Sequence, residues 1–538
     1  MNSYLKTFFN KQLTTGNRQS VIVEDLPFAN CLLPVAHCSL PIAHCLLFIV
    51  LLTGCSVSKS SYSPAKKYSP QQLQKDYSIF RGSLEETHPG IYWYTPKEEM
   101  DTYFAWGEKQ LNDSLNEEGF RKILSYVIAK INCGHSSVRS SKAAARYRDT
   151  NNTKIFPLSL KIWPGNISGG NDTAVVAANL IRKDTLLKRG VVVNKINNQP
   201  LHNLLDTFSQ YISSDGYNLT HKYQTLSNRG GFGFAYTSLF GAKENYFVDY
   251  TDSDGVEKTT TIPAYNPRAD SVNRSAVSRF ERRSTAERKK QFQQATRNFR
   301  IDSVNKIGFM DLGSFGRNLK LKSFFRSSFR SVRHEAISHL VIDVRGNGGG
   351  SVTNSTFLTK FIIDKKFKVA DSLYANTRNS RYQKYIKNYF FDKLFMHFVT
   401  AKKQDGKYHF GYFERHYFSP KKKKHFDGKV YVLTGGNSFS ATTLFTQSVK
   451  EQTNVTIVGE ETGGGAYGNT AWLIPDVSLP ETGIRFRLPL FRLVINKNIP
   501  KDGRGVQPEV ESKPTAAAIR RGADYKMEKV LDLIRKNQ

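Results

Sequence analysis

The chain has 538 residues, enough for two or three domains each with its own core. It carries 78 Lys and Arg against 46 Asp and Glu, a formal net charge of +32. The basic residues are spread through loops and inserts, 274–291, 378–388 and 421–424 among them, without a recognised nucleic-acid module, so a solvated basic surface is expected and no nucleic-acid partner.

In chain order, residues 40–54 form an apolar run interrupted by Pro41 and His44, shorter than the roughly 20 residues that span a bilayer. It ends in Leu52-Thr53-Gly54-Cys55, the pattern of a bacterial lipoprotein signal. Residues 1–55 are therefore expected to be a signal peptide from an upstream start, with lipid attachment at Cys55 and a polar tether over 56–68. This places the protein at the bacterial cell envelope, membrane-anchored on the periplasmic side or the outer-membrane surface. Cys31, Cys38, Cys45 and Cys55 all lie in this leader, so Cys133 is alone in the body and no internal disulfide is expected.

Residues 69–150 read as an N-terminal helical domain that opens on a Ser69 cap. Residues 151–265 turn to β character, and 186–208 resembles the loop-to-helix stretch of a PDZ domain, with Gly190 and the turn before Pro200 in place. A structural spacer fits the same residues. Residues 266–300 read as a basic helical linker and 301–515 as an α/β domain, with a C-terminal helix over 516–538. An aromatic, lysine-rich insert at 366–427 is expected to be a lid, a cleft wall or a helical hairpin.

The chemistry is concentrated in the α/β domain. Leu340–Val344 is an apolar run with one acid, a strand covered on both faces, and it ends in Gly346, Gly348, Gly349 and Gly350. Unshielded amides of that kind can approach an oxyanion. A second strand, 429–434, leads to Ser440, after which Ala441, Leu444, Phe445 and Val449 recur at helical spacing. Ser440 is either an N-cap or a nucleophile, with the N–H groups of Gly349 and Ala441 as the candidate oxyanion donors. Metal-ligand spacings such as CxxC or HExxH are lacking, so neither a metal nor a cofactor is expected. A Cys133–His135 nucleophile pair is a further alternative.

The order DVRGNGGG, SATTLF, IVGEETGGG (457–465), together with KIGFMDLGSF (306–315), resembles the S41 serine peptidases: the C-terminal-processing, tail-specific and tricorn-like enzymes. The resemblance is strong over 300–515 and weaker over 70–265. It implies a multidomain α/β (α+β) fold with a ClpP/crotonase-like catalytic core, and a serine-type peptidase acting on polypeptide through an acyl-enzyme. Ser440 matches the nucleophile, with Ser438 as runner-up. The lysine of the Ser-Lys branch falls at Gly465, so the resemblance points to the branch with a histidine base. INCGHSSV (131–138) resembles its Asp-Gly-His-Thr motif and makes His135 the base. PKDGRGVQPEV (500–510) resembles its acid motif and makes Asp502 the triad acid, although Glu460 and Glu461 also follow the nucleophile. The alternative is a catalytically inactive scaffold of the same fold that binds peptide or an apolar ligand.

Overall fold

The computed structural model describes residues 62–151, 153–165 and 172–536. The signal peptide and Cys55 lie outside the described residues. Among these residues no helix is long and apolar enough to cross a membrane.

His339–Asp343 lies inside a six-stranded sheet. The order is Arg297–Asp302, Ile307–Leu312, His339–Asp343, Lys429–Thr434, Val455–Gly459, Val510–Glu511, parallel throughout except for the first pair. The period-2 alternation of a strand sends Leu340 and Ile342 to one face, into a core with Phe325, Phe329 and Phe445. Those phenylalanines belong to the helices Leu321–His334 and Ala441–Lys450. Val341 faces the other way, onto Tyr431, Leu433 and the C-terminal helix residues Val530 and Ile534. Burial on both faces is the reason the strand reads as an unbroken apolar run. Each such side chain contributes about 2 kcal/mol. The C-terminal helix Tyr525–Lys536 is also held by Lys526, whose buried ammonium donates to Thr434 O at 2.9 Å and pairs with Glu460.

The sheet begins at Arg297, so the basic linker is shorter than the sequence suggests. It is two exposed helices, Ser271–Glu281 and Thr285–Thr296, with a Ser284/Glu287 capping box on the second. The insert at 366–427 is folded into a sheet and is not a simple helical hairpin. The insert supplies three strands of a five-stranded antiparallel sheet, ordered Ala401–Lys402, Tyr408–His409, Ser372–Ala375, Phe491–Val494, Gly468–Ala471. The helix Tyr389–Val399 rides outside it, with Phe390, Phe391 and Phe398 exposed.

Ser69 caps the helix Pro70–Thr87, as its sequence indicates, through the Gln72 amide. The helical region is tied to the C-terminal half. Asp76 accepts from the amides of Glu481 and Thr482, and Val138–Arg139 pairs with Arg485–Arg487. Between these regions, strands from Leu158–Trp163 to Glu257–Pro263 form an antiparallel sheet. Its hairpin turns at Asn197 and Asn198, both with positive φ (50° and 64°), where the Asn-Asn pair predicts a turn.

Candidate active site

Ser440 stands between the strand Lys429–Thr434 and the helix Ala441–Lys450, with φ 57° and ψ −120°. A serine in that region costs on the order of 1–3 kcal/mol, and such strain collects at functional sites. The position is the N-cap, yet the side chain makes no capping hydrogen bond, so the hydroxyl is not spent on the helix. Ser438 has the opposite character. It is fully buried, donates to Val344 O at 2.8 Å and accepts from the Gly435 amide at 3.2 Å. Its hydroxyl braces the turn.

The glycine loop lies directly against Ser440. A Cβ on Gly349, whose φ is +95°, would sit 2.8 Å from Ser440 Cβ and 3.0 Å from Ala441 N. No side chain fits there. The two expected oxyanion donors are not equivalent, however. The Gly349 amide donates to Asn347 Oδ1 at 2.9 Å, so this N–H is committed within its own loop and Gly349 serves by leaving space. The Ala441 amide belongs to the first helical turn, where an N–H has no intrahelical acceptor, and it lies at the positive end of the helix.

His135 follows the helix Glu117–Ala129, in a loop whose exit is fixed by the pairing of Val138–Arg139. Its ring is buried 4.7 Å from the ring of Phe439, the neighbour of Ser440. Neither ring nitrogen has a hydrogen-bond partner. Burial lowers its pKa to about 3, with the cationic surroundings of Arg487 adding to the effect, so the imidazole is neutral at physiological pH.

The acid facing His135 is not Asp502. Asp502 is exposed, and its Oδ1 accepts from the Arg504 amide at 2.9 Å in a local turn. Asp215 lies there instead, with Oδ1 3.9 Å from His135 Nδ1. The physical reason is a buried cradle: Asp215 Oδ1 accepts from the Gly134 amide at 2.8 Å and Oδ2 from the Gly465 amide at 3.2 Å. Burial raises the Asp215 carboxyl to about 6, while these amides and Arg492 hold it down. The Asp502 segment supports this arrangement from behind, since the Tyr217 amide donates to Gly503 O at 2.9 Å. Glu461 is also committed elsewhere, to the Gly505 amide, Thr220 and Arg504. Glu460 pairs with Lys526.

Gly465, where the resemblance loses its lysine, now has a structural account. Its amide holds Asp215, and an added Cβ would meet Gly468 O at 2.7 Å and Asp215 Cβ at 3.6 Å. Sequence reasoning missed three further residues. Asp215 reads as an ordinary Asp-Gly turn. His221 stacks on Phe439 at 4.8 Å and its Nδ1 lies 2.9 Å from Gly436 O. Arg492 is buried against Trp93 and donates to Thr470 Oγ1 at 2.9 Å. The fold also gathers Cys133, His135 and Asp215 into one group of potential metal ligands, which spacing along the chain does not reveal because Asp215 is remote in sequence.

Residues 306–512 match the family model described as Peptidase family S41. No curated protein matches the chain. Among solved structures, mature CPAF is similar at 14% identity over 87% of this chain and 98% of its own, with a TM-score of 0.58. CPAF complexed with lactacystin gives 14% identity, coverage of 87% and 99%, and a TM-score of 0.59. The photosystem II D1 C-terminal processing protease has 13% identity over 85% and 98% of the two chains, with a TM-score of 0.39. Likeness to CPAF at this identity establishes a shared fold, and the family match covers the glycine strand and Ser440. The match therefore identifies residues 306–512 as a peptidase family S41 domain, that of a serine-type peptidase.

Proposed function

We propose that the chain hydrolyses polypeptide through an acyl-enzyme, with Ser440 as nucleophile, His135 as general base and Asp215 as the acid that orients it. One observation carries the reading: a strained, uncapped serine beside a glycine loop, with a buried neutral histidine against its neighbour Phe439. Ser440 Oγ attacks the scissile carbonyl as His135 takes its proton. The Ala441 amide stabilises the oxyanion, a donor of the kind worth about 10²–10³ in rate. His135 then returns the proton to the leaving amine, and water hydrolyses the ester by the same steps. Asp215 stabilises the imidazolium on closing the present 3.9 Å gap to hydrogen-bond length, since catalytic contacts tighten once substrate is bound.

The test is covalent labelling of intact protein by a fluorophosphonate. Ser440→Ala is expected to abolish labelling and Ser438→Ala to retain it wherever the turn survives. Labelling that persists in Ser440→Ala removes the assignment. If intact protein binds an unstructured polypeptide yet neither labels nor cleaves, the scaffold reading replaces it.

The site is further read as working at the cell envelope. Support comes from the Leu52-Thr53-Gly54-Cys55 pattern, with Cys55 as the acylated residue. Mass spectrometry of the protein from a lipoprotein-processing bacterial host is expected to find a diacylglyceryl-modified N-terminus, absent in Cys55→Ser. An unmodified wild-type chain refutes the anchor.

A further inference from the structure

Cys133, His135 and Asp215 bring a sulfur, a ring nitrogen and a carboxylate oxygen within 4.8 Å of one another, and all three residues are buried. Both nitrogens of His135 lack a hydrogen-bond partner, an arrangement that normally costs about 1–3 kcal/mol per buried group. Each Asp215 oxygen accepts one backbone amide and keeps a lone pair free, so the carboxylate is oriented without being saturated. Cys133 Sγ has a long contact to Thr470 O at 3.6 Å and hydrogen bonds with the Ser136 hydroxyl and the His135 amide, all of them neutral partners.

We propose that Cys133, His135 and Asp215 are the ligands of a Zn2+-class divalent ion that holds the peptidase inactive. The donor set argues for that metal class. A thiolate, an imidazole and one carboxylate suit borderline-soft ions, whereas calcium and magnesium take oxygen ligands. Bond lengths of about 2.3 Å to sulfur and about 2.1 Å to nitrogen and oxygen require the ligand atoms to close by roughly 1 Å, within reach of side-chain rotation. Charge also favours it: two positive charges on the ion cancel one on the thiolate and one on the carboxylate, leaving a neutral buried unit. On binding, the Cys133 thiol releases its proton to solvent as the sulfur–metal bond forms.

The inhibitory consequence rests on the reading of His135 as the general base. An imidazole bonded to a dication cannot accept a proton, and a ligated Asp215 no longer stabilises an imidazolium. Cys133 is outside the catalytic machinery, so it separates the two claims.

The experiment uses the full reduced chain, with Co2+ as the spectroscopic probe and Zn2+ as the inhibitor. Cobalt is expected to produce a thiolate-to-metal charge-transfer band saturating at about one ion per chain, lost in Cys133→Ser and Cys133→Ala. Zinc is expected to block fluorophosphonate labelling of Ser440 reversibly, with chelator restoring it. Both variants should label as wild type does and need at least about tenfold more zinc for the same block. A missing band, or equal zinc sensitivity in the variants, overturns the metal site and leaves the peptidase reading intact. A band that depends on Cys133 in a chain that never labels upholds the metal site and rejects the catalytic reading.

Discussion

Asp215 is the residue on which the proposed chemistry turns. Asp215→Asn is expected to lower kcat by about 10³–10⁴, the loss seen when a triad acid can no longer hold the histidine tautomer. Asp502→Asn should change kcat less than about tenfold, because Asp502 Oδ1 is exposed and closes only a local turn. Steady-state cleavage of an unstructured polypeptide by the two variants ranks the acids, and the reverse order would reinstate Asp502. The histidine was legible because its loop keeps a short motif. The acid was not, since Asp215-Gly216 carries the signature of any turn. Only the approach of the Gly134 and Gly465 amides distinguishes it.

At the scale of the element, the helix Tyr389–Val399 carries a pH-sensitive residue of its own. Burial raises the Asp392 carboxyl from 3.8 to about 7. Between about pH 4 and pH 7 the unfolded chain releases this proton while the folded chain keeps it, so stability falls as pH rises. Below that window both states are protonated and the penalty vanishes. The shift of about 3 units corresponds to at most about 4 kcal/mol. Asp392→Asn is therefore expected to raise Tm at pH 8 and leave it nearly unchanged at pH 4, as measured by thermal denaturation at both values. An equal change at both would show that Asp392 titrates normally. A helix here was one of several readings that the aromatic, lysine-rich composition of the insert allowed. Its placement outside a sheet was not legible, because strands of two residues such as Ala401–Lys402 leave no periodic signal.

Across the whole molecule, the net charge of +32 is expected to influence how a polypeptide arrives. A strongly basic surface attracts acidic chains over about 10 Å at 0.1 M salt, and less at higher ionic strength. For an acidic unstructured polypeptide kcat/KM is expected to fall several-fold between about 0.03 and 0.3 M salt, and for a basic one to stay level or rise. Equal salt dependence for both would mean that the charge lies away from the cleft.

The sequence by itself determined the parallel catalytic sheet, the glycine loop and the serine at the mouth of the helix. These are local: a doubly buried strand must be apolar, and a backbone position where a Cβ would come within 2.8 Å of Ser440 Cβ must be glycine. Tertiary structure alone decided which acid meets His135, what occupies the place of the missing lysine at Gly465, and that Cys133 joins them. Those partners come from segments far apart in the chain, and a contact made by long-range packing leaves no spacing to read.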